Sequence, residues 1–127
     1  MQTGSSPSLV RADQRYTCSM QAVMRPAPDA DDAVSLTRAV GEGDGTVKVT
    51  VVDASRGGVG VISSVFLPRG SHVEVSIAGP KDVLGTITAR VQRVEMRDRR
   101  PTYYLGLAVL PGSDSGQAMQ AVLAEVR

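Results

Sequence analysis

The chain has 127 residues, of which 42% are hydrophobic and 21% charged, so it is long enough for one globular domain and is not a largely disordered chain. Its formal net charge of +1 and its aromatic content of 3% argue against a nucleic-acid polymer as the partner, because proteins that bind such polymers are usually basic and stack bases on aromatic rings. With one cysteine, Cys18, and one histidine, His72, the chain offers no intramolecular disulfide and no cysteine- or histidine-based metal site, and no apolar run reaches the roughly 18 residues of a membrane span.

The leading segment, residues 1–15, predicts a flexible arm. It is rich in Ser and Gly and has no apolar run of the kind found in a signal peptide, so we expect a cytoplasmic protein. Arg11 and Arg15 stand four positions apart in this arm, within reach of a single anionic ligand. Arg presents a planar fork of donors that matches a phosphate, or the O6 and N7 atoms of guanine. A solvated basic arm would show the same pattern, so the pair alone is weak evidence.

Residues 16–127 predict a single β-rich domain with one insertion. Residues 16–25 alternate weakly and predict a first strand, whereas the Pro-, Asp- and Gly-rich residues 26–45 predict a long insertion with a short helix over 32–40. Alternating apolar residues, many of them valine, predict further strands at 47–52, 59–63, 73–77, 82–96 and 103–110. The alternation changes parity near Gln92 or Arg93, which predicts a β-bulge there.

The last segment, residues 113–126, predicts a helix with Asp114 as its N-terminal cap. Apolar residues recur at helical spacing on one face, at Ala118, Met119, Val122, Leu123 and Val126. About six short strands followed by one helix favour a mainly β fold, an antiparallel barrel with a C-terminal helix. A closed barrel is favoured because it leaves no strand edge unpaired.

The run Asp-Ala-Ser-Arg-Gly-Gly at residues 53–58 is the most informative motif. We expect it to form one tight turn after a valine-rich strand, with Asp53 at the end of that strand. Asp53 can accept hydrogen bonds from N1–H and the amino group of guanine, and Ser55 can offer its hydroxyl to a phosphate oxygen. The two glycines that end the run permit a ligand to approach the backbone closely. On local grounds a plain hairpin turn, in which Asp53 bonds its own backbone, explains the run equally well.

Taken together, the two motifs resemble those of the PilZ family. In that family an Arg-x-x-x-Arg arm precedes a barrel whose second strand ends in Asp/Asn-x-Ser-x-x-Gly, and residues 11–15 and 53–58 have this order and these residue types. The resemblance extends from Leu9 over nearly the whole chain and includes Val-Gly-Val at 59–61 and Leu-Gly-Leu at 105–107. It implies a six-stranded barrel that binds cyclic di-GMP, a bacterial second messenger.

The resemblance also implies a role for each motif residue. Arg11 and Arg15 would bind phosphate and the Hoogsteen edge of guanine. Asp53 would recognise the Watson–Crick edge of the base. Ser55 and Gly58 would shape the contacts on the phosphate side. Additional candidates for ligand contacts are Val10, Arg56, Gly57 and Arg90.

The sequence predicts a binding protein rather than an enzyme. It contains neither a nucleophile with a base in a recognisable motif nor a phosphate-binding loop with Lys followed by Ser or Thr. We therefore expect a cyclic di-GMP receptor or adaptor with no other cofactor, whose arm changes conformation on ligand binding and which signals to a separate effector protein. A PilZ-like interaction adaptor that works without nucleotide is the alternative. A small RNA- or DNA-binding barrel is a third interpretation, which the near-neutral charge disfavours.

Overall fold

The computed structural model describes residues 14–27, 46–79, 83–98 and 102–126. Val10 and Arg11 of the predicted arm, the predicted helix at 32–40 and most of the predicted insertion at 26–45 lie outside these residues. In chain order the described part contains β1 (Tyr16–Pro26), β2 (Val47–Ser55), β3 (Gly58–Ser63), β4 (His72–Ala78), β5 (Val83–Asp98), β6 (Thr102–Val109) and α1 (Ser113–Val126).

The six described strands close into a barrel. They follow the order β1-β2-β3-β6-β5-β4, and β4 pairs with β1 to complete the ring. All of these pairings are antiparallel. The structure confirms the predicted mainly β fold, a six-stranded antiparallel barrel with a C-terminal helix. Closure gives every described strand two neighbours, which removes the exposed edges that short strands would otherwise present.

Alternate positions of the strands fill the barrel with aliphatic side chains. Such alternation is expected because successive side chains of a strand point to opposite faces of the sheet. The interior includes Val49, Val51, Val59, Val61, Val73, Val75, Ile77, Ile87, Ala89, Val91, Leu105 and Leu107. The positions between them form a second row on the outer face of the barrel. On β2, β5 and β6 this row carries a polar cluster that also includes Arg15; its other members are Asp53, Arg93, Glu95, Arg97 and Tyr104.

A β-bulge in β5 confirms the predicted change of parity. Val91 pairs with Leu107 and Arg93 pairs with Gly106, so Gln92 is an extra residue between two consecutive pairs. Val91 is buried and Arg93 is exposed, although residues two positions apart share a face in a regular strand. The extra residue therefore turns Arg93 to the outside of the barrel.

The C-terminal helix packs mainly against β5. Its predicted apolar face is buried at Ala118, Met119, Val122 and Leu123. The close approach depends on Gly85 of β5, which has a φ of +145° and where a Cβ would lie 2.7 Å from Cβ of Ala118. Within the described ranges no helix combines the length and apolar character needed to cross a membrane.

The prediction that Asp114 caps this helix is wrong. The helix begins one residue earlier, at Ser113, and the N–H of Gly116 donates to the carbonyl of Gly112. Asp114 therefore lies in the first turn, where its negative charge interacts favourably with the positive end of the helix dipole. The next serine, Ser115, accepts a hydrogen bond at its Oγ from the backbone N–H of Thr88 at 2.9 Å, which ties the first turn to β5.

Candidate functional site

The Asp-Ala-Ser-Arg-Gly-Gly run is mostly strand, and the prediction of a six-residue turn is wrong. β2 continues through Ser55, β3 begins at Gly58, and only Arg56 and Gly57 form the turn. The prediction that Asp53 ends its strand is also wrong, since cross-strand pairing continues to the Ser55–Gly58 pair. The carboxylate and the hydroxyl of this motif are therefore held by the hydrogen-bonded wall of the barrel instead of by a loop.

A second β-bulge, in β2, turns Asp53 out of the barrel. The pairing of β2 with β3 shifts register between Val51 and Asp53, which makes Val52 the extra residue. Val51 is fully buried, and in a regular strand a residue two positions later would point into the same core. Because of the extra residue Ala54 fills the core instead, and the Asp53 carboxylate lies on the outer face.

Arg15 and Asp53 are in direct contact on this face. Nη1 of Arg15 forms an ion pair with Oδ1 of Asp53 across a sequence separation of 38 residues. Arg15 immediately precedes β1, and β1 runs beside β2 with Thr17 opposite Asp53, so strand pairing brings the two side chains together. The side chains are 55% and 17% exposed, which leaves the guanidinium group accessible to a ligand.

Tyr104 of β6 is the second partner of this carboxylate. Its Oη donates a hydrogen bond of 2.9 Å to Oδ2 of Asp53, so each carboxylate oxygen has its own partner. Burial and the hydrogen bond to Asp53 raise the pKa of Tyr104, while the positive charges of Arg15 and Arg93 partly oppose this rise. The hydroxyl is therefore protonated, and able to donate, at neutral pH.

Two arginines of β5 lie over the ring of Tyr104. Cζ of Arg97 lies 4.8 Å and Cζ of Arg93 lies 5.7 Å from the ring centroid, within the range of cation–π contacts. Glu95 ties both arginines together, with Oε2 2.5 Å from Nε of Arg93 and Oε1 3.7 Å from Nη2 of Arg97. Tyr104 is only 6% exposed although it lies on the outer face.

Glycines on β3 make room for this cluster. A Cβ at Gly60 would lie 2.2 Å from Oη of Tyr104 and 2.6 Å from Oδ1 of Asp53, closer than unbonded atoms can approach. A Cβ at Gly58 would lie 1.9 Å from the carbonyl oxygen of Leu107, so β3 and β6 can pair at this distance only with glycine there. The glycine that ends the predicted motif is thus needed for the packing of the barrel wall.

A pocket of about 370 Å³ opens beside the cluster. Four of the predicted ligand-binding residues line it, namely Arg15, Ser55, Gly57 and Gly58. The rest of the lining comes from Val59, Gln92, Arg93, Tyr104, Gly106, Leu107 and Ala108. Asp53 adjoins the pocket through its contacts with Arg15 and Tyr104, both of which are lining residues.

Two of the additional candidates do not line this pocket. Arg56 is exposed in the turn between β2 and β3. Arg90 is exposed on β5, where it pairs with His72 and Ala108. The roles proposed for Val10 and Arg11 concern residues outside the described ranges.

Sequence reasoning missed Tyr104 and Gln92. The signal for Tyr104 is present in β6, where Tyr104, Gly106 and Ala108 alternate with the core residues. A large aromatic side chain on the outer face, next to a glycine on the same face, indicates that the ring packs against other residues on that face. The alternation alone does not show that Asp53 is its partner, because that depends on the register between distant strands.

The charges of the cluster suit an anionic ligand that also carries hydrogen-bond donors. Three guanidinium groups, from Arg15, Arg93 and Arg97, face two carboxylates, from Asp53 and Glu95. Guanidinium groups bind phosphate oxygens, and a carboxylate accepts hydrogen bonds from N–H groups. Across the described part of the chain, no three His, Cys, Asp or Glu residues are grouped so that they could hold a metal ion.

A model of the PilZ domain family matches residues 9–125. The comparison with curated proteins gives no match. The fold is similar to the PilZ domain with c-di-GMP of YcgR from Escherichia coli, with a TM-score of 0.63 and 15% identity over 91% of this chain and 90% of that chain.

Two longer solved chains contain a similar fold. YcgR in complex with c-di-GMP from Escherichia coli gives a TM-score of 0.61 and 16% identity over 90% of this chain and 44% of that chain. The Bacillus subtilis inhibitor of motility, MotI/DgrA, gives a TM-score of 0.62 and 14% identity over 91% of this chain and 48% of that chain. This chain thus spans less than half the length of these two proteins. The structural likeness shows the fold, the family model covers nearly the whole sequence, and the chain belongs to the PilZ domain family.

Proposed function

We propose that this chain is a cytoplasmic receptor for cyclic di-GMP that signals to a separate effector protein. The observation that carries the proposal is the contact between Arg15 and Asp53, one residue from each predicted motif, beside a pocket that Ser55 and Gly58 line. The choice of ligand is supported by membership of the PilZ family and by the c-di-GMP present in the two similar YcgR structures.

The chemistry of the cluster is complementary to that of cyclic di-GMP. The ligand carries two phosphates and two guanine bases. The fork of Arg15 matches either a pair of phosphate oxygens or O6 and N7 of guanine. The carboxylate of Asp53 only accepts hydrogen bonds, which suits the N1–H and amino donors of the same base. Ser55 adds a hydroxyl donor, and Gly58 keeps that wall of the pocket free of a side chain.

Ligand binding would exchange partners within the site. The Arg15–Asp53 ion pair is partly exposed, and such pairs typically stabilise a fold by about 1 kcal/mol or less, so separating it costs little. In exchange Arg15 gains a phosphate and Asp53 gains the donors of guanine. The same movement would draw Arg11 and the rest of the arm towards the pocket, which changes the surface that an effector protein meets. The chain acts here by binding and performs no reaction.

A second candidate function is an adaptor that binds a partner protein without nucleotide. It is favoured by apolar side chains at the end of the barrel away from the β2–β3 turn. Phe66 is 53% exposed and Met96 is 66% exposed. Both adjoin Tyr103, since Phe66 packs edge-on against its ring with centroids 5.6 Å apart and Met96 is its cross-strand partner on β5. Exposed apolar groups that lie together are typical of protein interfaces.

Isothermal titration of the purified protein with cyclic di-GMP tests the receptor. We expect saturable heat and a ligand-dependent rise of the unfolding temperature. Arg15→Ala and Asp53→Ala should each weaken binding by about tenfold or more, which corresponds to about 1.4 kcal/mol. Absence of both heat and thermal shift at high micromolar ligand would refute the receptor and leave the adaptor as the function.

The matched control is Arg25→Ala. Arg25 lies near the end of β1, whereas Arg15 precedes its start, and Arg25 forms an exposed ion pair with Glu74. We expect wild-type affinity in this variant. An equal loss of affinity in Arg25→Ala and Arg15→Ala would show that net charge, rather than the proposed pocket, governs binding.

A further inference from the structure

We infer that Tyr104 is a positioning residue that holds one oxygen of Asp53, so that the other oxygen is presented to guanine and the pocket prefers guanine to adenine. This inference rests on the proposed function, since it concerns how the cyclic di-GMP site selects its base. Tyr104 belongs to neither of the two sequence motifs and comes from a strand on the far side of β3.

The two partners of Asp53 differ in how firmly they are held. Arg15 precedes β1, and its side chain is 55% exposed. Tyr104 lies within β6, pairs with Ile62 and Glu95 on the two neighbouring strands, and is 6% exposed. When Arg15 leaves for a phosphate, Oδ1 of Asp53 is released while Oδ2 remains bonded to Tyr104. The carboxylate then keeps its orientation during the exchange of partners.

Packing fixes the side chain of Tyr104 on two sides. Gly60 lies beneath the hydroxyl and leaves no free space there, since a Cβ at Gly60 would lie 2.2 Å from Oη. Arg97 and Arg93 cover the ring at 4.8 and 5.7 Å, and Glu95 holds both guanidinium groups. Because a carboxylate only accepts, the protonated hydroxyl points its hydrogen at Asp53. Tyr104 therefore acts on the ligand through Asp53.

A fixed carboxylate distinguishes the two purines. Guanine presents two adjacent donors, N1–H and the amino group, on its Watson–Crick edge, and the two lone pairs of Oδ1 can accept from both. Adenine presents an acceptor, N1, beside one donor, so its acceptor faces a carboxylate oxygen and is repelled. A carboxylate that can rotate would turn away from this repulsion, whereas one held at Oδ2 cannot. Selectivity based on such a mismatch depends on polar groups that are held in place.

Tyr104→Phe is the sharpest test because it removes one oxygen atom and keeps the ring beneath Arg93 and Arg97. Titration with cyclic di-GMP should give an affinity about fivefold weaker than that of the wild type. The affinity for cyclic di-AMP should not fall, so the ratio of the two affinities decreases. Competition against a fluorescent cyclic di-GMP measures the affinity for cyclic di-AMP. Circular dichroism and thermal unfolding verify that the variant is folded.

Two further variants isolate the hydroxyl of Tyr104. Tyr103→Phe is the same substitution at the neighbouring residue, whose ring packs on Phe66 and on the core from the opposite face of β6, and it should leave both affinities unchanged. In an Asp53→Ala background, Tyr104→Phe should cause no additional loss of affinity, because the oxygen that it positions is already absent.

The outcomes separate the two levels of the proposal. If the wild type binds cyclic di-GMP but Tyr104→Phe binds equally well, the positioning role is wrong and the receptor stands. The same conclusion follows if the variant loses equal affinity for both nucleotides, or loses a further fivefold or so in the Asp53→Ala background. If the wild type binds no cyclic di-GMP, the receptor and the positioning role are both overturned.

Discussion

The two ends of β1 carry two ion pairs that look alike and are built differently. Before its start, Arg15 pairs with Asp53 of β2, with side chains 55% and 17% exposed. Near its end, Arg25 pairs with Glu74, its direct cross-strand neighbour on β4, with side chains 44% and 21% exposed. Exposure alone therefore does not distinguish the candidate site from an ordinary surface pair.

The difference lies in what surrounds each carboxylate. Glu74 accepts one hydrogen bond of 2.9 Å from Nε of Arg25. Asp53 forms an ion pair with Arg15 and accepts a hydrogen bond from Tyr104. It also packs closely against Gly60 and adjoins a pocket of about 370 Å³. Surface pairs of the first kind contribute little to stability. Converging polar contacts beside a cavity are instead typical of binding sites.

The largest effect is expected from Gly60→Ala, because Gly60 lies directly against both Tyr104 and Asp53. The added methyl group would overlap Tyr104 and Asp53, so the ring must leave its position beneath the arginines. We expect the free energy of unfolding to fall by about 1–3 kcal/mol, as for other overpacked sites. Cyclic di-GMP affinity should fall by about tenfold or more, because Asp53 loses its position. Chemical denaturation and titration measure the two quantities.

The control for that substitution is Gly116→Ala on α1. A Cβ at Gly116 meets no atom within 4 Å, and alanine favours a helix over glycine by about 1 kcal/mol. This variant should be slightly more stable than the wild type and bind ligand equally well. A Gly60→Ala protein that matched it in both respects would show that the cluster around Tyr104 is not held as tightly as its geometry indicates.

An intermediate effect is expected from Tyr104→Phe on stability. Loss of the hydrogen bond to a carboxylate should lower the free energy of unfolding by about 1 kcal/mol at neutral pH. The pKa of Tyr104 is raised above the value of 10.0 of an unperturbed tyrosine by burial and by Asp53. Above pH 10 the unfolded chain therefore loses this proton before the folded chain does, and the stability that the raised pKa supplies decreases as the pH rises.

Urea denaturation between about pH 9 and about pH 11 measures this dependence. The wild-type free energy of unfolding should fall more steeply with pH than that of Tyr104→Phe, which lacks the titrating hydroxyl. Parallel curves would mean that the Tyr104 hydroxyl is no more protected in the folded protein than in the unfolded chain.

The two ion pairs of β1 should differ little in stability and strongly in binding. Arg15→Ala and Arg25→Ala each remove one partly exposed pair, so each should change the free energy of unfolding by only about 0.5 kcal/mol. Denaturation curves of the two variants check this value. A loss of several kcal/mol in Arg15→Ala alone would assign Arg15 to the architecture of the barrel and weaken the case that it is free to exchange partners.

The contrast between these regions also shows what can be predicted from one sequence. Alternating valines identify the strands, helical spacing identifies α1, and the parity change at Gln92 identifies the bulge in β5. These signals are local, because each depends on neighbours within one element. The motif residues were found by resemblance, and their grouping at one pocket depends on tertiary structure.

The missed features are those that depend on register between strands. The bulge at Val52 is hard to detect in the sequence, because the run of valines before Asp53 is equally consistent with a regular strand that ends at Asp53. Tyr104 meets Asp53 across β3, over a separation of 51 residues, and no local pattern reports that distance. Arg97 has the sequence surroundings of a solvated residue, and only the structure shows that its guanidinium group lies over the ring of Tyr104.

The smallest effect concerns the reactivity of the Cys18 thiol, which depends on the charge of Asp53 although Cys18 does not line the ligand pocket. Burial raises the pKa of the Cys18 thiol, and the negative charge of Asp53 raises it further. Because the thiolate is the reactive form, iodoacetamide near pH 8 should alkylate the folded protein more slowly than the urea-unfolded chain. Asp53→Ala should accelerate alkylation of the folded protein, but by less than unfolding does, since burial is the larger cause of the raised pKa and is still present in the variant.

Mass spectrometry of timed samples measures the alkylation rates, and Arg25→Ala is the control, in which the rate should be unchanged. If Asp53→Ala alkylated no faster than the wild type, the field of Asp53 at Cys18 would be cancelled by Arg15, and the contact between these two side chains would persist in solution as a closed pair.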